Sequence, residues 1–506
     1  MAASAALSYV TSPQHHRVQK GFLQHVDVYI HGGKKSSIRY HQQNAHSGST
    51  FKCRSMHAES ADANDSSGRW ASEKEAWSAL KNQVEAFCGE FPHGAAATGL
   101  QVLVDKLEVA ADPTNLQMQI LLGQAKRFLR CPRASLVHYL NLVRNAESSG
   151  HPQLGAWYLE TGLACREAGD LEGALHFCSK ALGASIEGFG PSSLRVAQAR
   201  SALSKVYFNL ARYQDSISQG EVARPILKES GGPEEVVSLE LTMADTLFHL
   251  KRYDEVVSIL ENAINSTSGL VHVNANITTA RAYDAMRKNA GAKAHCQKAF
   301  DALELLEASA QTAAHYVMLA SVYEVQQDFE QTVRLLAKSL RMYEKFPQNS
   351  PRNFITELEG KLGRLLLQLR KAEEALPYFE RQLSKKRIAA GPLSEEKSGE
   401  AQELLHAHYY LGAAYSQCEK FHKALEQFEA CVVLLSDICK GENPSFAMTV
   451  YNNAASMHYH LNRLDKAIEC QRAAVDVLKK NKLQETNATK RVEALLEEYL
   501  QKANSF

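Results

Sequence analysis

Along most of this chain, apolar residues recur three and four positions apart, the spacing that lines one face of an α-helix. The clearest stretch is Ala407–Leu435. Leu411, Gly412 and Tyr415 share one face, and after a short polar turn Phe421, Ala424, Leu425 and Phe428 share the next. Small residues at Gly412 and Ala424 let the two helix backbones approach, while the aromatic rings fill the space beside them. Helices this short cannot bury their apolar stripes against each other alone, so neighbours of the same kind are required.

The pattern recurs. With Ala424 as the marker in the second helix, its equivalents are Ala174, Ser216, Val256, Ala292, Thr332, Ala375 and Ala467, at steps of 42, 40, 36, 40, 43, 49 and 43 residues. The matching first-helix positions are Gly162, Ser204, Ala244, Ala280, Ala320, Gly363, Gly412 and Ala455, and a weaker copy precedes them at Gly123 and Ser135. Tyr207, Tyr283, Tyr323 and Tyr415 stand nine residues before their markers; Tyr213, Tyr253, Phe329 and Phe421 stand three before. Self-similarity at this period predicts an all-α helical-repeat solenoid, a superhelix of about eight to nine helix pairs over residues 117–480.

The flanks read as punctuation. Residues 72–116 form an N-terminal helical cap, with one amphipathic helix over 72–91 opened by Ser72 and another over 98–110 ended by Asp112-Pro113. Residues 481–506 form a C-terminal capping segment, with a helix over 490–502 that buries Val492, Leu495, Leu496 and Tyr499. Lys385–Glu400 is the longest polar insertion and accounts for the 49-residue step; Pro347 and Pro351 mark another inter-repeat loop. Pro377 falls early in a second helix, where it is expected to kink or shorten it.

The helix pairs, such as Tyr158–Leu182 and Tyr451–Val475, carry the small and aromatic positions of tetratricopeptide repeats, and over roughly residues 117–480 the chain resembles that family. The period near 42 residues is longer than that family's usual one. Together with Gly441-Glu442-Asn443-Pro444 before Tyr451-Asn452-Asn453-Ala454-Ala455, it resembles the kinesin-light-chain type of repeat. That type has His where Asn443 stands. Residues 70–116 lack the sustained heptads through which kinesin light chains join their motor, so the resemblance implies the fold and a protein-binding role rather than motor association.

Residues 1–58 differ from the rest. Asp27 is their only acidic residue, against seven basic ones: Arg17, Lys20, Lys34, Lys35, Arg39, Lys52 and Arg54. An acid-poor, Ser- and Ala-rich leader is the composition of an organelle transit peptide. Its uncharged Met-Ala-Ala-Ser start resembles plant plastid leaders, with Cys53–Ala58 a place for processing, and chloroplast stroma is the expected location. A mitochondrial leader, or a tail on a cytoplasmic protein, is the alternative. Residues 59–71 are small and polar, a disordered linker.

With 57 basic and 56 acidic side chains, the net charge of +1 gives no basic excess to hold nucleic acid. No apolar run of about 18 residues is present, so no integral membrane segment is expected. Ten cysteines include no Cys-x-x-Cys pair, which fits free thiols in a reducing compartment. Cys165, Cys178, Cys296 and Cys431 fall on core positions and read as small hydrophobes. His406 and His408, like His458 and His460, are two apart and so face different ways, which argues against a shared metal. Gly188–Ser193 is a connection between repeats rather than a phosphate loop after a strand, and no nucleophile–base, Walker or metal-ligand pattern occurs. No catalytic residue, cofactor or metal is expected.

What such an array offers is a concave surface lined by its first helices. The residue after each first-helix small position is expected to face it: Leu163, Lys205, Asp245, Arg281, Ser321, Arg364, Ala413 and Ser456. Tyr409, Asn452 and Asn453 are expected there near their helix starts. Lys205, Arg281 and Arg364 could hold acidic groups of a partner by charge-assisted hydrogen bonds. The expected role is a non-catalytic scaffold in plastid protein assembly or biogenesis, with partner proteins of unknown identity. A cytosolic adaptor of the kinesin-light-chain kind is the first alternative, and an enzyme-associated subunit the second.

Overall fold

A computed structural model describes residues 100–105, 108, 115–129, 131–151, 153–345, 353–391, 398–437, 443–481 and 487–504. The expected leader, the linker and the helix over 72–91 lie outside the described residues. These residues fall into two compact units that divide after Leu305.

Among the described residues, the amino-terminal unit holds, after a helical segment at 100–105, ten helices in five antiparallel pairs. They are α1 (Leu116–Phe128), α2 (Pro132–Ser149), α3 (Leu154–Ala168), α4 (Leu171–Phe189), α5 (Leu194–Asn209), α6 (Tyr213–Ser230), α7 (Pro233–His249), α8 (Tyr253–Asn265), α9 (Gly269–Ala285) and α10 (Asn289–Glu304). The carboxy-terminal unit continues with α11 (Ala310–Val325), α12 (Phe329–Lys345), α13 (Phe354–Gln368), α14 (Ala372–Ala390), α15 (Ser398–Gln417), α16 (Phe421–Asp437), α17 (Pro444–His460), α18 (Leu464–Lys480) and α19 (Asn487–Asn504). No strand occurs among the described residues, and within each unit every helix packs against its sequence neighbours. The fold is the all-α repeat solenoid that the spacing predicts.

Each pair is organised on its two small positions, which are buried in all nine pairs. In two pairs of the amino-terminal unit hydroxyls tie them together. Ser135 Oγ donates to the Gly123 carbonyl at 2.7 Å, and Ser216 Oγ donates to the Ser204 carbonyl at 2.8 Å and lies 3.0 Å from Thr246 Oγ1. In the carboxy-terminal unit rings do the same work. A Cβ added at Gly363 would stand 2.6 Å from the Phe379 ring, and one at Gly412 would stand 3.0 Å from the Phe428 ring. Only glycine admits rings this close.

The turn inside each pair is also periodic. Five residues before the second-helix small position stands a left-handed residue: Gly169, Ala211, Lys251, Arg287, Gln327, Arg370, Glu419 or Asn462. Only the first is glycine. The following residue's N–H reaches back into the first helix, as Arg212 does to the Tyr207 carbonyl at 2.9 Å, so the last carbonyls are satisfied and the chain reverses at once.

At the ends, Leu100 and Val104 are buried with Leu122 and Ala125 of α1. Val492 and Tyr499 of α19 are buried against α17 and α18. Two expectations need correction. Pro377 leaves α14 running through to Ala390, because it sits near the helix start, where few backbone bonds are lost. The segment from Lys385 is not loop at its beginning: it extends α14, and Lys385 Nζ meets Glu359 Oε2 at 2.8 Å.

Candidate interaction face

In the amino-terminal unit α5 touches α3 and α7, and α7 touches α9, whereas successive second helices meet less closely. The first helices therefore line the inner side of the curve within that unit. In the carboxy-terminal unit α13 touches α15 in the same way.

Polar rungs cross this face from one first helix to the next. Arg127 of α1 binds Glu167 of α3 at 2.5 Å and Glu160 at 3.5 Å. Lys205 of α5 donates to Ser238 Oγ of α7 at 2.8 Å, and Gln198 donates to Glu235 at 2.8 Å. Arg281 of α9 stands 3.9 Å from Asp245 of α7 and over the Phe248 ring at 4.4 Å. In the other unit Lys361 pairs with Glu324 at 2.6 Å, and the Arg364 guanidinium lies 5.4 Å from the centre of the Tyr410 ring.

The electrostatics of the face follow from partial burial. Desolvation raises the Asp245 carboxyl to about 6, with the Arg281 charge opposing. Desolvation lowers the Lys205 ammonium to about 7, and the charges of Arg166 and Arg127 push it the same way while Glu235 opposes. Lys205, Asp245, Arg281 and Arg364 are part-exposed on their first helices. Each of the four, however, already has a contact within the chain, so none is a spare group.

Tyr409, Asn452 and Asn453 are elsewhere. All three are buried, Tyr409 at 2 % exposure, and none lines an open face. Tyr409 stands edge-on to Phe428, its hydroxyl held high by burial, and Asn452 Oδ1 accepts from Gln471 Nε2 at 3.0 Å. Tyr409 and Asn452 each precede a first-helix small residue by three, which puts them on the same buried side of the helix.

A second periodic feature escaped the sequence reading. In five pairs a polar side chain of the first helix bonds one of the second, always 19 residues on. They are Gln119 with His138 (3.0 Å), Arg200 with Gln219 (2.8 Å), Asn276 with His295 (2.9 Å), His408 with Gln427 (2.8 Å) and Asn452 with Gln471 (3.0 Å). Recurrence at that fixed spacing was a signal the sequence carried.

The thiols stay inert. Burial pushes Cys165 and Cys178 up to about 12 and Cys470 to about 11, far from the range of a reactive thiolate. Among the described residues no group of three His, Cys, Asp or Glu is placed to hold a metal, and no helix is long and apolar enough to cross a membrane.

A tetratricopeptide-repeat family model matches residues 448–480, which are most of α17 and all of α18. Fold, periodicity and that match point to one class: the chain is similar to tetratricopeptide-repeat proteins. Within it, the chain is similar to kinesin-light-chain-related proteins of Arabidopsis thaliana. It is 23% identical to Protein KINESIN LIGHT CHAIN-RELATED 3 over 358 residues, covering 69% of this chain and 53% of that protein. It is 23% identical to Protein KINESIN LIGHT CHAIN-RELATED 2 over 342 residues, covering 62% and 49%. The chain thus spans about half the length of these curated relatives. Among solved structures, a tetratricopeptide-repeat protein from Parabacteroides merdae is matched at 21% identity and a TM-score of 0.39, over 58% of this chain and 99% of that one.

Proposed function

We propose that this protein is a non-catalytic interaction scaffold whose first-helix faces hold an extended segment or helix of a partner protein. The observation that carries the reading is the row of part-exposed charged side chains, Arg127, Lys205 and Arg281, along first helices that line the inner side of the repeats in the amino-terminal unit. A preformed solenoid presents such a face without the ordering cost that a flexible loop incurs on binding. The acid-poor leader supports action inside plastids, in the assembly or biogenesis of other proteins. The kinesin-light-chain-related relatives favour a second reading, a cytosolic adaptor.

Two measurements separate these. The full chain with a C-terminal fluorescent tag is expressed in plant cells, and its location and the mass of its mature N-terminus are recorded. Plastid signal with processing near residue 58 is expected; a diffuse or filamentous cytosolic signal with an intact start transfers the proposal to the adaptor. Cross-linking in those cells is expected to join partners to Lys205 and Lys361 on first helices. Cross-links confined to second-helix lysines such as Lys180 and Lys228 would refute the face as the binding surface.

A further inference from the structure

The cations of the amino-terminal face are not matched evenly. Arg127 takes up both nearby carboxylates, Glu160 and Glu167. Arg166, next to Glu167 on α3, is left out: its Nε is sealed from solvent and meets no acceptor. The Tyr139 hydroxyl, beside the same Arg127, Glu160 and Glu167 charges, is likewise buried without a partner. Across the face, Lys205 has the Ser238 hydroxyl at 2.8 Å and feels the charges of both arginines. A buried donor with no acceptor is costly, and an oxyanion entering here would satisfy it.

We propose that Arg166 and Lys205 form a binding site for a phosphoryl group, carried by a phosphorylated serine or threonine on the partner segment that the face holds. This rests on the interaction face proposed above and names the chemistry it reads. A phosphoryl dianion, with three acceptor oxygens, matches a guanidinium and an ammonium together. A carboxylate monoanion is matched by Arg166 alone and leaves Lys205 under the repulsion of its neighbours. The two carboxylates already in the cluster illustrate this, because both turn to Arg127 and neither serves Arg166. Lys205 adds a proton linkage. Burial, first, and the facing charges of Arg166 and Arg127 lower it to about 7 while Glu235 opposes, so a bound dianion draws a proton onto the amine. Binding is therefore stronger at pH 7.0 than at pH 8.5, a window in which phosphate remains mostly dianionic.

The test is calorimetric titration of the full chain with inorganic phosphate, with the tripeptide acetyl-Gly-phosphoserine-Gly-amide, and with its Glu counterpart, at constant ionic strength. Expected are binding of both phosphates, affinity at least tenfold lower for the Glu tripeptide, and affinity severalfold lower at pH 8.5. Arg166→Gln and Lys205→Gln are each expected to lose at least tenfold for phosphoserine while keeping the far-ultraviolet circular dichroism of the parent. Should Arg166→Gln fail to fold, Lys205→Gln carries the comparison, with Lys205→Arg restoring affinity and removing its pH dependence. Equal affinity for the Glu and phosphoserine tripeptides, or unchanged binding in both folded Gln variants, overturns the proposal. Binding of inorganic phosphate but not of the tripeptide overturns the partner-borne source. Partner cross-links at Lys205 without phosphate binding would leave the scaffold standing and remove this site alone.

Discussion

The two units solve one packing problem by different means. In the amino-terminal unit the contact of α5 with α6 is sealed by the hydroxyls of Ser204, Ser216 and Thr246, and one ring, Tyr139, closes on Gly123. In the carboxy-terminal unit glycines at 363 and 412 receive the rings of Phe379 and Phe428, with Tyr409, Tyr410 and Phe446 stacked beyond. Their first-helix faces differ too. The amino-terminal one gathers Arg127, Arg166 and Lys205, whereas in the carboxy-terminal one Lys361 is neutralised by Glu324 and Arg364 lies against Tyr410. The comparison teaches that the repeat register fixes where helices touch but leaves free what fills the contact. Stability and recognition are therefore weighted differently along one architecture.

Removing a ring should expose the difference most. Phe428→Ala is expected to cost about 4 kcal/mol in the carboxy-terminal unit, because a fully buried ring leaves a cavity. Its amino-terminal counterpart, Ser216→Ala, is expected to cost about 1 kcal/mol for the lost hydrogen bonds. Hydrogen exchange resolved by segment would measure both, and equal losses would erase the distinction. Gly412→Trp tests the same contact from the other side. Overpacking against Phe428 is expected to cost roughly 3 kcal/mol, and an unchanged thermal midpoint would show that the contact is looser than described.

Acid separates the units next. Burial lowers the pKa of His315, His408, His458 and His460 in the carboxy-terminal unit. Their unfolded forms bind protons first, so the stability they contribute is complete above about pH 6.5 and is lost as pH falls below it. His295 acts likewise in the amino-terminal unit, but there the raised carboxyls of Asp245, at about 6, and Glu160 take protons more readily when folded. Those two gain stability as pH falls, offsetting the histidine and Lys205, whose ammonium, lowered to about 7, loses stability over the same fall. Between pH 7.5 and 5.5, rate-corrected exchange protection is expected to drop more in residues 310–480 than in residues 154–304. A uniform drop would contradict this. The smallest effect is at the turns. Ala211→Gly is expected to stabilise its pair by about 1 kcal/mol, since alanine is strained at a φ of 58°. Asn462→Gly should gain less, because asparagine tolerates that region. Matched shifts in thermal midpoint would show that the turn strain is relieved elsewhere.

The register was legible because it is written in residue size: a small residue at a fixed place is readable wherever it recurs, as Gly363 and Ser204 show equally. One residue past the small position, Lys205, Asp245, Arg281 and Arg364 are part-exposed. Faces were misread three residues before it, where Tyr409 and Asn452 looked like groove residues from their polarity, yet one helical turn returns them to the buried side. The cluster around Arg166 could not be read at all. It is assembled from α1, α3 and α5, and which carboxylate turns to which cation depends on distances between helices that no local spacing encodes.

The side-chain pairs set 19 residues apart have a consequence for how such a chain finds its native topology. Helices of similar length and stripe invite mistaken partners during collapse, and apolar faces alone discriminate poorly among them. The paired polar groups change chemistry from hairpin to hairpin: glutamine with imidazole, guanidinium with carboxamide, asparagine with imidazole. A first helix that docked on the wrong second helix would set these side chains against partners of other length and shape, a penalty of about 1–3 kcal/mol for each group left unmet. The pairs thus serve as addresses, telling each helix which neighbour is its own.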